Sequence, residues 1–201
     1  MNHARTCFVA IVLFSLLACA SKPVEEHYYS LVLAADQANV PAKVDNAGAR
    51  LTVGPVHLPA YLNNRGLSIA VGANQIRTAN HHFWAEPLEE AISKVLVLDI
   101  SRLLDNVVVE RDAGRWTDEG DCRLRLEFDR FHATDESSVI SSGRYWVSSV
   151  EASVSREFHM TRSLSADGYG HAVETLRQSL GTLAAKIAAT VESDQLCLGS
   201  E

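Results

Sequence analysis

The chain has 201 residues, 18 of them basic and 25 acidic, which gives a formal net charge of −7 at neutral pH. This excess of acidic residues argues against binding nucleic acid or an anionic membrane surface through bulk charge. The length is enough for one domain with a core of its own.

The chain begins with a short apolar run that follows a single strong positive charge, Arg5. Residues 8–18 (FVAIVLFSLLA) are too few to span a bilayer, which takes about 20 apolar residues. Together with Arg5, the run predicts a secretory signal peptide over residues 1–18. It ends in Leu-Leu-Ala-Cys, residues 16–19, which resembles the lipobox of bacterial lipoproteins, where the cysteine is acylated and becomes the new N-terminus. An ordinary secretory signal with an incidental cysteine is the alternative.

The residue after Cys19 bears on where such a lipoprotein is sorted. Ala20 stands where many inner-membrane lipoproteins carry the aspartate that retains them. We therefore expect an outer-membrane lipid anchor, with the body of the protein facing the periplasm, and several acyl chains give lasting attachment. Residues 19–26 are then a lipidated tether and residues 27–201 a single domain. Loss of the signal removes one basic residue and leaves a charge of −8.

Two cysteines remain for the folded domain, Cys122 and Cys197. The periplasm is oxidising, so we predict a disulfide between them, with two buried free thiols as the alternative. CxxC spacing is missing, which disfavours a redox motif or a structural zinc site.

Alternation of apolar residues predicts the first strands and their connections. The predicted strands are residues 27–33, 50–56, 67–71 and 75–78, with a loop over 36–49 and a turn at 72–74. Pro87 and the acidic residues around it then favour the start of a helix. Its apolar face contains Leu88, Ala91, Ile92, Val95, Leu96 and Leu103. Asp99 lies near the middle of that face, and we interpret it as a helix-edge carboxylate bonded to a loop, not as a catalytic group.

The second half of the chain predicts more strands and a long closing helix. The strands are residues 107–110, 121–128, 139–147 and 154–160, with a turn at 148–153 between the last two. A stripe at helical spacing predicts a helix over 169–192, beginning after Asp167 and Gly168. We therefore predict a two-layer α/β sandwich, a mixed sheet with two long amphipathic helices on one face.

The sequence contains no motif that encodes a reaction. His81, His82 and Glu86 are possible metal ligands, but adjacent histidines do not easily face one ion, and we interpret them as polar loop residues. Neither a nucleophile elbow nor a phosphate-binding glycine loop is present. We predict a binding or assembly module, not an enzyme, with neither cofactor nor metal.

Several stretches in order resemble one family. They are HYYSL soon after the lipobox, VGPVHLPAYLNNRGL, HHFWAEPLEEAI, RLRLEFDRFHA leading to VISSGRYWV, and ADGYGHAVETLRQSLGTLAAKIA. Together they resemble the PqiC-type, ABC-transport auxiliary lipoprotein family over essentially the whole mature chain. The resemblance implies a compact α/β domain related to the N-terminal domain of TolB-like proteins. It also implies an accessory role beside an MCE-domain tunnel protein in intermembrane lipid transport.

Four residues in the two most family-like segments are candidates for partner binding: Tyr61, Leu62, Trp84 and Pro87. They form either a docking surface or groove, or, in the case of the aromatic residues, part of the packing beneath the first helix. A homo-oligomer matching an MCE ring is a possible assembly. The alternative function is a structural lipoprotein for envelope integrity, without a role in transport.

Overall fold

The computed structural model describes residues 24–32, 49–105, 107–112, 121–150, 152–194 and 197. The predicted signal peptide and Cys19 lie outside these residues. The described part contains eight strands: β1 (His27–Tyr29), β2 (Ala49–His57), β3 (Gly66–Val71), β4 (Gln75–Trp84), β5 (Val107–Arg111), β6 (Asp121–Thr134), β7 (Ser138–Ser148) and β8 (Ser153–Ser163). It also contains helices α1 (Leu88–Ser101) and α2 (Tyr169–Ser193), and a short 3-10 helix at Ala60–Leu62.

The eight strands form one mixed sheet with β6 at its centre. One edge of β6 pairs in parallel with β2 and, further along, with β3, while the other edge pairs antiparallel with β7. Strand β7 pairs with β8, and β5 with β2. Beyond β3 lie β4 and then β1, which pairs in parallel with β4. The predicted mixed α/β class is confirmed.

Strand β6 continues past Phe128, where the sequence pattern predicted its end. A bulge shifts the register between Phe128 and Arg130, so the alternation of buried and exposed residues is interrupted there. Phe128 and Phe131 are both buried, with their rings edge to face at 5.4 Å. A Cβ at Gly143 on β7 would lie 2.1 Å from the Glu127 carbonyl oxygen, so only glycine fits beside this stretch.

Both helices cover the sheet and pack against each other. Helix α1 lies on β2 and β5, and α2 lies on β6, β7 and β8. The predicted stripe of α2 is buried, and the helix extends one residue past the predicted end. Leu103 is the exception on the first helix: α1 ends at Ser101, and Leu103 is 46% exposed.

The partner of Asp99 differs from the prediction. The Arg177 guanidinium on α2 donates to both carboxylate oxygens of Asp99, at 2.7 and 2.8 Å. Arg102 lies 3.6 Å from the same carboxylate. Asp99 is therefore held by a bidentate ion pair between the two helices and not by a loop. The sequence does not reveal this partner, because it does not show that the two helices lie side by side.

Two strand boundaries also differ. Strand β1 ends at Tyr29, and the chain bends at Leu31, which is fully buried; Leu33 lies outside the described residues. Strand β4 runs to Trp84, six residues past the predicted end. His81 and His82 are therefore strand residues, not loop residues, and their side chains point to opposite faces of the sheet.

The two cysteines lie at opposite ends of the second half of the chain. Cys122 stands near the start of β6, Cys197 follows α2, and a disulfide joins them across a separation of 75 residues. Both side chains are buried, at 2% and 0% exposure. The bond fastens the chain beyond α2 to the central strand.

Candidate functional site

A groove of about 460 Å³ opens where β1, the 3-10 helix, the end of β4 and the start of α1 meet. Its apolar lining is Leu58, Leu62, Trp84, Pro87 and Leu88. Its polar rim is Asn63, Asn64, Arg65, Glu86 and Glu89. An apolar concavity with a few polar groups around it is the usual form of a binding site.

Backbone hydrogen bonds join the segments around the groove. The Trp84 amide donates to the Arg65 carbonyl at 2.7 Å, and the Ala85 amide donates to the Tyr29 carbonyl at 2.8 Å. The Asn64 side chain donates to the Tyr61 carbonyl at 2.6 Å and closes the loop after the 3-10 helix. These bonds fix the groove walls although the loop between them is exposed.

Gly66 allows β3 to approach β4 closely at the back of this loop. A Cβ there would lie 2.5 Å from the Thr78 methyl group and 2.6 Å from the Ala79 carbonyl oxygen. Because that space is already filled, any side chain at this position would push the loop that carries Arg65 away from β4.

The rim carries a guanidinium that stacks on two aromatic rings. The Arg65 side chain lies 6.0 Å from the ring centre of Tyr28 and 5.4 Å from that of Phe83. The Tyr28 hydroxyl donates to a Glu26 carboxylate oxygen at 2.7 Å, and this bond raises the pKa of Tyr28. Within the described part of the chain, no carboxylate forms an ion pair with Arg65. Its charge therefore stays available to a ligand at the groove mouth.

Three of the four predicted partner-binding residues line this groove: Leu62, Trp84 and Pro87. Leu62 and Trp84 are only 3% and 7% exposed and also belong to the core, whereas Pro87 is exposed. The groove floor is thus the outer surface of the core. Trp84 therefore has both of the positions considered for it, since it packs in the core and also lines the groove.

Tyr61 lies outside the groove lining and fastens the 3-10 helix to β6. Its hydroxyl is 2.8 Å from Nδ1 of His132, a residue with 4% exposure. Burial lowers the pKa of His132 and raises the pKa of Tyr61, so both are neutral near pH 7. Tyr61 therefore supports the loop behind the groove from the other side.

The residues considered as metal ligands, His81, His82 and Glu86, do not form a cluster. Glu86 forms an ion pair with Lys94 on α1 and lies at the groove rim. His82 stacks between His27 and Tyr169. In the ranges that the structure describes, no group of three or more His, Cys, Asp or Glu side chains is placed to hold a metal ion.

Sequence reasoning missed Tyr28, Leu58 and Arg65 at this site. Tyr28 and Arg65 are in family-like stretches, but nothing in their spacing indicates that residues 37 positions apart meet. Their contact follows from the pairing of β1 with β4, which only the tertiary structure shows.

The architecture of the described residues defines a class: a mixed sheet covered by two helices, with an open groove beside β1. The family of ABC-type transport auxiliary lipoprotein components matches residues 29–188, and the chain belongs to this family. The intermembrane transport lipoprotein PqiC of Escherichia coli K12 is 25% identical over 185 residues, which cover 92% of this chain and 96% of that protein. The PqiC of Shigella flexneri matches to the same extent.

Two solved structures share the fold. One, a crystal structure of an uncharacterized protein, has a TM-score of 0.72 and 26% identity and covers 84% of this chain and 99% of that chain. The other, a Xanthomonas campestris protein of the DUF330 family, has a TM-score of 0.60 and 12% identity over 86% of this chain and 95% of that one. Across the described residues, no helix is long and apolar enough to cross a membrane.

Proposed function

We propose that this protein is a periplasmic lipoprotein, anchored in the outer membrane through Cys19, that docks an MCE-domain tunnel protein in an intermembrane lipid transport system. The family is an auxiliary component of ABC-type transport, and the PqiC relatives are intermembrane transport lipoproteins. The docking element is the groove and its rim.

The position of the groove relative to the anchor carries this proposal. Tyr28 lines the groove and follows Cys19 by only nine residues. A fully extended segment of that length reaches about 30 Å. The groove is therefore held close to the membrane surface, which raises the effective concentration of the docking element where a tunnel would meet the membrane.

The physical need for such a dock comes from the cargo. Exposing a lipid chain to water costs about 0.8 kcal/mol per methylene, so a lipid must leave a covered tunnel directly into the membrane. A lipid-anchored domain that grips the tunnel tip supplies this continuity without carrying out a reaction. The apolar floor gives the contact area, and Arg65 and Glu89 at the rim give orientation.

Photo-crosslinking in intact cells tests the proposal. A photoreactive residue in place of Asn63 at the rim samples the groove, and one in place of Ser155 on β8 is the control, because both positions are exposed. We expect the Asn63 probe to capture an MCE-domain protein and the Ser155 probe to give much less of it. Capture of only peptidoglycan-associated or structural outer-membrane proteins at Asn63 would instead favour the envelope-integrity role.

A second test addresses the anchor. The Cys19→Ser variant removes the thiol that is acylated, so we expect the protein to be lost from the outer-membrane fraction and the Asn63 crosslink to fall sharply. Retention in the outer membrane at the wild-type level would contradict lipidation at Cys19. A homo-oligomer matching the MCE ring, and the kinship with TolB-like N-terminal domains, stay predictions.

A further inference from the structure

Two histidines face each other across the pairing of β1 with β4. His27 and His82 are register partners in this parallel pair. Their rings stack with centres 4.9 Å apart and planes 11° from parallel. On its other side, His82 stacks on Tyr169, the first residue of α2, at 3.8 Å. Nδ1 of His82 lies 2.8 Å from the Tyr29 hydroxyl.

Strand β1 is a short element at the edge of the sheet. It is three residues long and, among the described strands, pairs with β4 alone. Tyr28 on its other face stacks on Phe83 and carries Arg65 over its ring. The histidine cluster is therefore one of the side-chain contacts that keep this short strand in the sheet, together with buried Leu31 just beyond its end.

We propose that the His27–His82 pair is an acid-sensitive clasp, which holds β1 on β4 when neutral and releases it when protonated. Two imidazolium rings 4.9 Å apart repel each other, whereas neutral rings stack favourably.

Several titratable groups lie around the pair, among them Glu26, which precedes His27 and accepts a hydrogen bond from the Tyr28 hydroxyl. His81 neighbours His82 along β4, and Tyr29 and Tyr169 face His82 from β1 and α2. The N-terminal end of α2 adds partial positive charge. Within the part of the chain that the structure describes, no carboxylate forms an ion pair with either ring. Desolvation lowers the pKa of His82, and His27 and His81 lower it further.

The sign of the pH effect follows from that lowered pKa. The released state binds protons more readily than the closed state, because the pKa of His82 returns in it towards the ordinary value near 6.5. The clasp is therefore fully closed above about pH 6.5 and loses stability as the pH falls below it.

The consequence for docking rests on the proposed function, but the clasp itself does not. The tether enters the domain through β1, and Tyr28 of the same strand lines the groove. Release of β1 would lengthen the tether and remove one groove wall together. Acidification would thus loosen the dock from the membrane and from its partner.

Hydrogen exchange of the full-length lipidated protein in detergent tests the clasp without any partner. Exchange is measured by mass spectrometry at about pH 7.5 and about pH 5 and corrected for the intrinsic dependence of exchange on pH. We expect peptides covering residues 24–32 to lose protection by about tenfold or more at the lower pH, with β6 and β7 unchanged. The His82→Phe variant keeps a stacking ring without a charge, so it should stay protected at both pH values.

Matched variants guard against a merely structural effect. His27→Phe changes an exposed residue, so the fold should tolerate it, and it should also suppress the acid response. His159→Phe on β8 is the control and should keep the wild-type response. Equal protection of residues 24–32 at both pH values in the wild type would overturn the clasp, as would an acid response that survives in both His82→Phe and His27→Phe. Because no partner is present, these outcomes are independent of the crosslinking test.

Discussion

The two halves of this domain are held together in different ways. The half built from β6, β7, β8 and α2 rests on long strands and a 25-residue helix, and β6, β7 and α2 each bury a row of residues in the core. The half around the groove rests on a three-residue strand, a 3-10 turn, backbone hydrogen bonds and stacked aromatic rings. The first half presents mainly packed faces, and the second presents an open groove.

The largest expected effect on stability comes from the disulfide in the rigid half. The double variant Cys122→Ser and Cys197→Ser should lower the free energy of unfolding by about 4 kcal/mol, because it frees the unfolded chain from a 75-residue closure. Urea unfolding of the purified protein measures this, and reduced wild type should resemble the variant. Identical unfolding midpoints with and without reductant would show that the bond contributes nothing.

Core packing in the same half comes next. Leu183 on α2 has no exposed surface, so Leu183→Ala should cost about 3 kcal/mol through lost burial and the cavity left behind. Leu103→Ala is the matched control, since Leu103 is 46% exposed, and it should cost less than about 0.5 kcal/mol. Thermal unfolding of both variants gives the comparison, and equal shifts would mean that the burial of α2 is not what stabilises this half.

The bond between the two halves should have a smaller effect. Tyr61→Phe removes the hydroxyl that meets buried His132 and should cost about 1 kcal/mol. Tyr28→Phe makes the same chemical change at a residue that is 52% exposed and whose hydroxyl hydrogen-bonds only exposed groups, the Glu26 carboxylate and the Arg65 guanidinium. We expect a smaller loss for Tyr28→Phe in urea unfolding, and the reverse order would contradict the role of Tyr61 as a support for the groove loop.

The smallest effect on stability should come from the groove rim, where the effect on docking is largest. Arg65→Gln removes the guanidinium that lies over the exposed ring of Tyr28. This change should alter the free energy of unfolding by less than about 0.5 kcal/mol. Arg125→Gln is the control, because Arg125 also stacks on an aromatic ring, 4.1 Å from the centre of Trp146. The Asn63 crosslink should fall several-fold in Arg65→Gln and not in Arg125→Gln. Equal crosslink yields in the two variants would exclude Arg65 from docking.

The extent to which patterns predicted the fold follows the same division. Helix α2 was predicted to within one residue of its end, because its apolar stripe repeats at helical spacing over its whole length. Strand β6 was predicted six residues too short, since the bulge after Phe128 interrupts the alternation. Strand β4 was predicted too short because the polar residues Asn80, His81 and His82 interrupt its apolar pattern, and such a stretch owes its strand conformation to its neighbours β1 and β3.

The sequence by itself determined the class of the protein: a mixed α/β domain of the ABC-type transport auxiliary lipoprotein family, with its main helices and most of its strands. These features depend on the local periodicity of apolar residues and on the order of family-like segments, and both can be read along the sequence. Only the tertiary structure decided that Asp99 pairs with Arg177, that Arg65 covers Tyr28, and that His27 stacks on His82. Each of these contacts joins residues at least 37 positions apart, and their meeting depends on strand order and helix packing, which the spacing along the chain does not contain.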